Sequence, residues 1–120
     1  MDMFTWLLII VAAYFLISRM MPAKGVANIT TEEAKGKFKE KGTQFVDVRT
    51  AGEYKANHRK PFKNIPLHEL KNRLAELDKN KEVVVICQSG MRSMKAAKVL
   101  KKQGFHNISN VRGGMGAWSQ

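Results

Sequence analysis

A run of four β-branched residues restricts this chain to a few architectures. The segment Glu82–Ile86 reads EVVVI, with Lys79-Asn80-Lys81 before it and Gly90 shortly after it. Apolar side chains on both faces of a short segment are typical of a strand buried on both sides, and such strands occur in parallel sheets covered by helices. The chain is therefore predicted to contain a central parallel strand.

The segments around this strand alternate between strand and helix patterns. Further strands are predicted at Gln44–Val48, Lys63–Pro66 and Asn107–Val111. Helical segments are predicted from Thr30 to Lys41, at Ala51–Asn57, Leu67–Leu77 and Arg92–Gln103, and as a stub after Gly113-Gly114. Strands that alternate with helices indicate an α/β domain with a mainly parallel sheet, which we place at residues 22–120.

The length and the cysteine count exclude several protein classes. The chain has 120 residues, which suffice for one domain of ordinary size. Its only cysteine, Cys87, excludes a disulfide scaffold and any zinc site with two or more cysteines. His58, His68 and His106 lie apart, without the spacing of metal ligands. We therefore predict neither a metal nor a cofactor.

The first part of the chain is much more apolar than the rest. From Met3 to Ser18, fourteen of sixteen residues are apolar and none is charged. A helix of this length spans about 24 Å, somewhat short of a bilayer core of about 30 Å, although Arg19 can extend toward the lipid surface. The alternatives are a cleaved signal peptide, for which a positive start and a small-residue cleavage site are missing, and a buried core helix. We predict a transmembrane anchor over residues 1–21.

Positive charge is confined to the body of the protein. All 21 Lys and Arg lie at or beyond Arg19, and the formal net charge is +11. The positive-inside rule then places the body on the cytoplasmic side of a cell membrane, as part of a single-pass protein. The cations are spread over the body and form no nucleic-acid-binding motif, so the membrane is the expected partner and nucleic acid is not.

A short loop after the central strand carries the candidate chemistry. Residues 87–93 read CQSGMRS and join that strand to the next predicted helix. Ligands of open parallel sheets bind at the carboxyl ends of strands, and the N-terminus of a helix favours an anion. Gly90 lets successive amides converge and Arg92 adds a positive charge, so Cys87 is predicted to react as a thiolate. The alternative is an inert cysteine that ends a buried strand.

Several motifs together resemble the rhodanese-like sulfurtransferase domains in their single-domain form. The resemblance covers about residues 26–118 and rests on FVDVR at 45–49 with Glu53-Tyr54, NIPL at 64–67, the loop CQSGMRS, and GGM at 113–115 with Trp118. It implies about five parallel strands flanked by helices. It also implies a cysteine that alternates between thiolate and persulfide. The related phosphatases have a loop one residue longer and need a general acid, so a phosphatase or arsenate reductase-like enzyme is the weaker alternative.

The resemblance implies a thiosulfate sulfurtransferase-type enzyme and assigns roles to the loop. Thiosulfate or a persulfide-carrying protein donates sulfur, and an external thiol or cyanide accepts it, because no second cysteine can discharge the persulfide. The alternative is a docking module without catalysis, although such modules commonly lack the cysteine. The implied catalytic residues are Cys87 and Arg92, and the implied substrate-binding residues are Gln88, Ser89, Gly90, Met91 and Arg92.

Two segments near the loop receive separate interpretations. Asp47 and Arg49 lie at the end of a predicted strand of the same sheet, where they can orient the loop by hydrogen bonds or pair with Glu53. We expect a scaffold salt bridge, and direct contact with the substrate is the weaker alternative. The family usually has a His-Ile-x-Gly stretch before the next strand, where this chain has His58-Arg59-Lys60-Pro61. This departure puts the packing at the rim of the site in question.

Overall fold

The computed structural model describes residues 2–20 and 25–118, and its centre is a parallel sheet. Every neighbouring pair of strands is parallel, and the order across the sheet is β1-β5-β4-β2-β3. The predicted α/β fold with about five parallel strands is therefore confirmed. Within the described residues the strands are β1 Val26–Ile29, β2 Thr43–Asp47, β3 Lys63–Asn64, β4 Glu82–Ile86 and β5 Ile108–Val111.

The helices begin where the sequence places capping residues. Capping boxes start two of them, at Thr30 with Glu33 and at Thr50 with Glu53. In the described part of the chain the α-helices are α1 Met3–Met20, α2 Thr31–Gly36, α3 Ala51–Ala56 and α4 Met91–Lys102, and the 3₁₀ helices span Leu67–Asn72, Leu74–Glu76 and Gly114–Ala117.

Two helical segments differ from the sequence prediction. α2 ends at Gly36 and does not continue to Lys41. The Lys37 N–H donates to the Ala34 carbonyl oxygen three residues back, a 3₁₀-type hydrogen bond that tightens the last turn. Residues 67–77 form two 3₁₀ helices in place of one α-helix. The apolar residues there are spaced by three within each turn, which suits a 3₁₀ helix, since its residues i and i+3 lie on the same side.

Two apolar cores lie on opposite faces of the sheet, and β4 contributes to both. Val83 and Val85 pack in one core together with residues of α4 and with Cys87. Val84 and Ile86 pack in the other core, and these four side chains of β4 are fully buried. The prediction of a central strand buried on both faces is confirmed. The second core also holds an aromatic cluster of Phe38, Phe45, Phe62 and Trp118.

The apolar N-terminal segment forms α1, but the transmembrane anchor predicted over residues 1–21 is not supported. Among the described residues, no helix is both long enough and apolar enough to cross a bilayer. The uncharged part of α1, residues 3–18, spans about 24 Å, which is shorter than a hydrocarbon core of about 30 Å. The membrane is therefore not supported as a partner. The predicted boundary between residues 21 and 22 lies outside the described residues, and the cytoplasmic location stays a prediction.

Candidate active site

The sulfur of Cys87 lies at the carboxyl end of the central strand. Cys87 directly follows β4, and α4 begins at Met91. The backbone N–H of Gly90 donates to Cys87 Sγ over 3.0 Å. Gly90 has a φ of 101°, a left-handed conformation that glycine adopts without steric cost. The loop therefore bends so that the Gly90 amide faces the sulfur, whereas the sequence predicts that successive amides converge there.

The turn after β5 holds the backbone of this loop in place. The Met115 N–H donates to the Cys87 carbonyl oxygen over 2.8 Å, and the Gly116 N–H donates to the Gln88 carbonyl oxygen over 2.9 Å. Gly114 packs on the same peptide, because a Cβ atom at this position would lie 2.1 Å from the Cys87 carbonyl oxygen. The Gly-Gly-Met motif thus supports the loop through its backbone.

Cys87 is buried, whereas the rim of its loop is exposed. The Cys87 side chain has no exposed area, Gln88 and Ser89 are exposed, and Met91 is 68% exposed. The sulfur nevertheless has polar neighbours, since the Ser93 hydroxyl lies 3.3 Å away in addition to the amide described above. An inert cysteine that merely ends a strand would need no such polar groups. The Gly90 N–H directed at the sulfur therefore favours the reactive interpretation.

Arg92 forms an ion pair with Glu53 of α3. Arg92 Nη1 donates to Glu53 Oε1 over 2.6 Å, and Arg92 Nη2 donates to Glu53 Oε2 over 2.9 Å. Hydrogen bonds from Arg92 lower the pKa of Glu53 from 4.5 to about 2, and Glu53 in turn raises the pKa of Arg92. Sequence reasoning considered Glu53 only as a partner of Asp47 and Arg49. It had no local signal for the observed pair, whose members are 39 positions apart.

Glu53→Gln is expected to lower stability at neutral pH but not in strong acid. The folded pKa of Glu53 lies below its ordinary value, so its charge stabilises the fold fully above about pH 4.5 and the contribution disappears as the pH falls toward 2. Both side chains are about one-third exposed, so we expect at most about 1 kcal/mol. Urea unfolding from neutral pH down to about pH 2 measures the difference between wild type and variant. A difference that stays constant over this range would contradict the ion pair.

Asp47 and Arg49 form a buried salt bridge that supports the strand ends. Arg49 Nη2 donates to Asp47 Oδ2 over 2.8 Å and to the Asn57 carbonyl oxygen over 2.5 Å. Asn64 Nδ2 donates to the carbonyl oxygens of Asp47 and Arg49, over 3.0 and 2.9 Å. The pair therefore joins the ends of β2 and β3 to the end of α3. The described hydrogen bonds of the two side chains match the expected scaffold salt bridge, and neither reaches Cys87.

The unusual stretch His58-Arg59-Lys60-Pro61 packs away from the sulfur. The His58 ring stacks on Tyr54 with 4.0 Å between centroids, and Arg59 lies over the Trp118 ring at 5.9 Å. Trp118 belongs to the core that does not contain Cys87. Arg59 therefore packs on the side of the sheet opposite to Cys87. Within residues 2–20 and 25–118, no three His, Cys, Asp or Glu side chains are grouped closely enough to hold a metal ion.

A chain of polar side chains continues behind the sulfur. Ser93 Oγ donates to Asn110 Oδ1 over 2.5 Å, and Asn110 Nδ2 donates to Asn28 Oδ1 over 3.2 Å. Ser93 and Asn110 are buried, whereas Asn28 is exposed on β1. Sequence analysis assigned no role to these three residues. The available signal is weak: a serine in the first turn of α4 and an asparagine in the short strand β5, which also contains Ser109.

Comparison with known proteins identifies the family. The family model of the rhodanese-like domain matches residues 30–120 of this chain. "Putative sulfur carrier protein YrkF" of Bacillus subtilis is 39% identical over 98 residues, which are 81% of this chain and 53% of that protein, so the chain spans about half of its length. "Thiosulfate sulfurtransferase GlpE" of Pseudomonas savastanoi is 34% identical over 75% of this chain and 84% of that protein. A rhodanese-like domain protein from Staphylococcus aureus, known from a crystal structure, has 37% sequence identity to this chain. The two structures align with a TM-score of 0.72 over 78% of this chain and 92% of the Staphylococcus aureus chain. The chain therefore belongs to the rhodanese-like domain family.

Proposed function

We propose that this chain is a sulfurtransferase that moves sulfane sulfur from a donor to a thiophilic acceptor through a persulfide on Cys87. The observation that carries the proposal is the Gly90 N–H directed at Cys87 Sγ over 3.0 Å, at the N-terminus of the twelve-residue helix α4. Both the N–H group and the helix dipole favour a negatively charged sulfur. The names of the two relatives, which refer to thiosulfate sulfurtransfer and to sulfur carrying, support the same chemistry.

The first half-reaction places a sulfur atom on the cysteine. The Cys87 thiolate attacks the outer sulfur of thiosulfate, so that a new S–S bond forms while the S–S bond of thiosulfate breaks. Sulfite leaves with the electron pair of the broken bond, and Cys87 remains as a persulfide anion. Backbone amides of residues 88–92 hold the outer sulfur, so that Gln88, Ser89, Gly90, Met91 and Arg92 form the substrate site.

The second half-reaction returns the thiolate. Cyanide or an external thiolate attacks the outer sulfur of the persulfide, the Cys87 S–S bond breaks, and its electron pair stays on the Cys87 sulfur. With cyanide the product is thiocyanate. Because Cys87 is the only cysteine of the chain, the sulfur has to pass to another molecule.

Arg92 assists the first step by its charge. A guanidinium has five N–H donors, and the two bonds to Glu53 leave donors for an incoming anion. The ion pair also fixes the position of the guanidinium beside the loop. We therefore assign Arg92 a role in attracting and orienting the anionic donor.

The donor is a small sulfur-containing anion such as thiosulfate, or a protein that carries a persulfide. The net charge of +11 attracts such anions and speeds their encounter with the site. Because the reaction requires Cys87 as a free thiolate, we place the protein in a reducing compartment such as the cytoplasm.

Mass spectrometry of the intact protein tests the proposal. Incubation with thiosulfate is expected to add the mass of one sulfur atom, about 32 Da, to the wild type and to release an equal amount of sulfite. Addition of cyanide should remove this mass and yield an equal amount of thiocyanate. A folded protein that gains no mass from thiosulfate, or from a persulfide donor such as a cysteine desulfurase with its substrate, would favour the docking module.

A further inference from the structure

A buried hydrogen-bonded chain connects the sulfur of Cys87 to the surface. It runs from Cys87 Sγ through the Ser93 hydroxyl and the Asn110 amide to Asn28. Ser93 has no exposed area and Asn110 is 2% exposed, so neither side chain can exchange its partners for bulk water. The direction of each hydrogen bond therefore depends on the protons that these groups carry.

The Ser93 hydroxyl has a single proton, which it donates in the hydrogen bond to Asn110. The oxygen of the Asn110 amide faces Ser93 and its nitrogen faces Asn28, so Asn110 accepts a hydrogen bond from Ser93. Ser93 Oγ can then act only as an acceptor toward the sulfur. It accepts a hydrogen bond from the Cys87 thiol, with 3.3 Å between Ser93 Oγ and Cys87 Sγ. This arrangement satisfies a protonated Cys87 but gives no hydroxyl donor to a thiolate.

When the Cys87 thiolate forms, the Ser93 hydroxyl can donate its proton either to Asn110 or to the sulfur. If the hydroxyl keeps its bond to Asn110, the negative sulfur faces the lone pairs of the serine oxygen. If the hydroxyl turns to donate to the sulfur, the Asn110 carbonyl oxygen is left buried without a donor, which is costly. In both cases the presence of Asn110 disfavours the thiolate. The Gly90 N–H acts in the opposite direction, because it donates to the sulfur and favours the thiolate.

We propose that Asn110 is a positioning residue that acts through Ser93 and regulates how readily Cys87 becomes a thiolate. By holding the Ser93 proton, Asn110 leaves the sulfur facing a hydroxyl oxygen that can accept from a thiol but cannot donate to a thiolate, and the thiol proton passes to solvent when the thiolate forms. The inference rests on the proposed role of Cys87 as the nucleophile. It adds a control of that nucleophile from the neighbouring strand β5.

Other charged groups near Cys87 stay the same when Asn110 or Ser93 is replaced. These charged groups therefore cannot explain a result in which replacing Asn110 shifts thiolate formation only when Ser93 is present. Arg92 interacts electrostatically with Cys87, Glu53 and Asp47, and Arg49 pairs with Asp47. The other charged side chains on β4 and α4 are Glu82, at the opposite end of β4 from Cys87, and Lys95, Lys98, Lys101 and Lys102, further along α4.

A double-mutant cycle tests the proposal, with the ultraviolet absorbance of the Cys87 thiolate as the readout. Cys87 is the only cysteine, so the Cys87→Ser protein serves as the blank. Asn110→Leu, which removes the acceptor but keeps the branched shape of the side chain, is expected to lower the pH of half-formation of the thiolate by about one unit. In the Ser93→Ala background the same replacement is expected to produce no shift, because there is no hydroxyl proton to redirect.

Controls separate this effect from damage to the fold. Ser109→Ala removes a buried hydroxyl from the position next to Asn110, where it donates to Glu82 over 2.8 Å, and should leave the pH of half-formation unchanged. Asn110→Ala is the second variant if Asn110→Leu does not fold, and it should shift the value in the same direction.

Two results would overturn the proposal. One is an Asn110→Leu protein whose thiolate forms at the same or a higher pH, and the other is an equal downward shift with and without Ser93. The absorbance needs no sulfur donor, so failure of this proposal is distinguished from failure of the proposed sulfurtransfer, which the mass measurement reports.

Discussion

Cys87→Ser is expected to lower the rate of sulfur transfer from thiosulfate to cyanide by about a thousandfold or more, because a neutral hydroxyl is a far weaker nucleophile than a thiolate. Serine has nearly the size of cysteine and still accepts from the Gly90 N–H, so the loop should keep its shape. The initial rate of thiocyanate formation measures the activity. The mass gain on incubation with thiosulfate should disappear in the same variant.

A matched control moves the only thiol to the neighbouring strand. In the double variant Cys87→Ser/Ser109→Cys, the chain again has one buried thiol, but it lies on β5 without the loop amide. This protein is expected to remain inactive, since the proposed chemistry requires the sulfur at the carboxyl end of β4. Thiocyanate formation that survives in the single variant, or that returns in the double variant, would contradict the assignment of Cys87.

The elements of this fold could be predicted where the signal is local. The four β-branched residues of β4 specify a strand that is buried on both faces, because their side chains alternate between two cores. The capping residues Thr30 and Thr50 mark the first turns of α2 and α3 in the same way. The loop that begins at Cys87 was located because it directly follows such a strand and contains a glycine.

The parts that sequence reasoning missed depend on contacts between distant segments. The partner of Arg92 is Glu53, and only the parallel order of the strands brings α3 and the start of α4 together. The contact of Ser93 with Asn110 likewise requires β5 to lie beside β4. Hydrophobic periodicity contains no information on such pairs. The membrane span predicted from the uncharged apolar run at the start of the chain is not supported among the described residues.

The support of the loop by the turn after β5 gives a second prediction with a large effect. Gly114→Ala is expected to lower the free energy of unfolding by about 2–4 kcal/mol, because the new Cβ would lie 2.1 Å from the Cys87 carbonyl oxygen and 2.9 Å from its carbon. The φ of Gly114, 56°, is also unfavourable for alanine. Urea unfolding monitored by circular dichroism measures the loss of stability.

The same replacement should slow sulfur transfer in protein that remains folded. To relieve the contact, the Cys87 peptide and the turn have to move apart, which weakens the 2.8 Å bond from the Met115 N–H and displaces the sulfur. A displacement of about 1 Å at a reacting atom is expected to lower the rate by about a hundredfold. Gly52→Ala is the matched control, because Gly52 lies in α3 with no atom within 4 Å of the new Cβ, and alanine there should preserve activity and slightly raise stability. If Gly114→Ala were as stable and active as Gly52→Ala, the turn after β5 would not support the loop that begins at Cys87. The rigidity of that loop would then have to come from α4 alone.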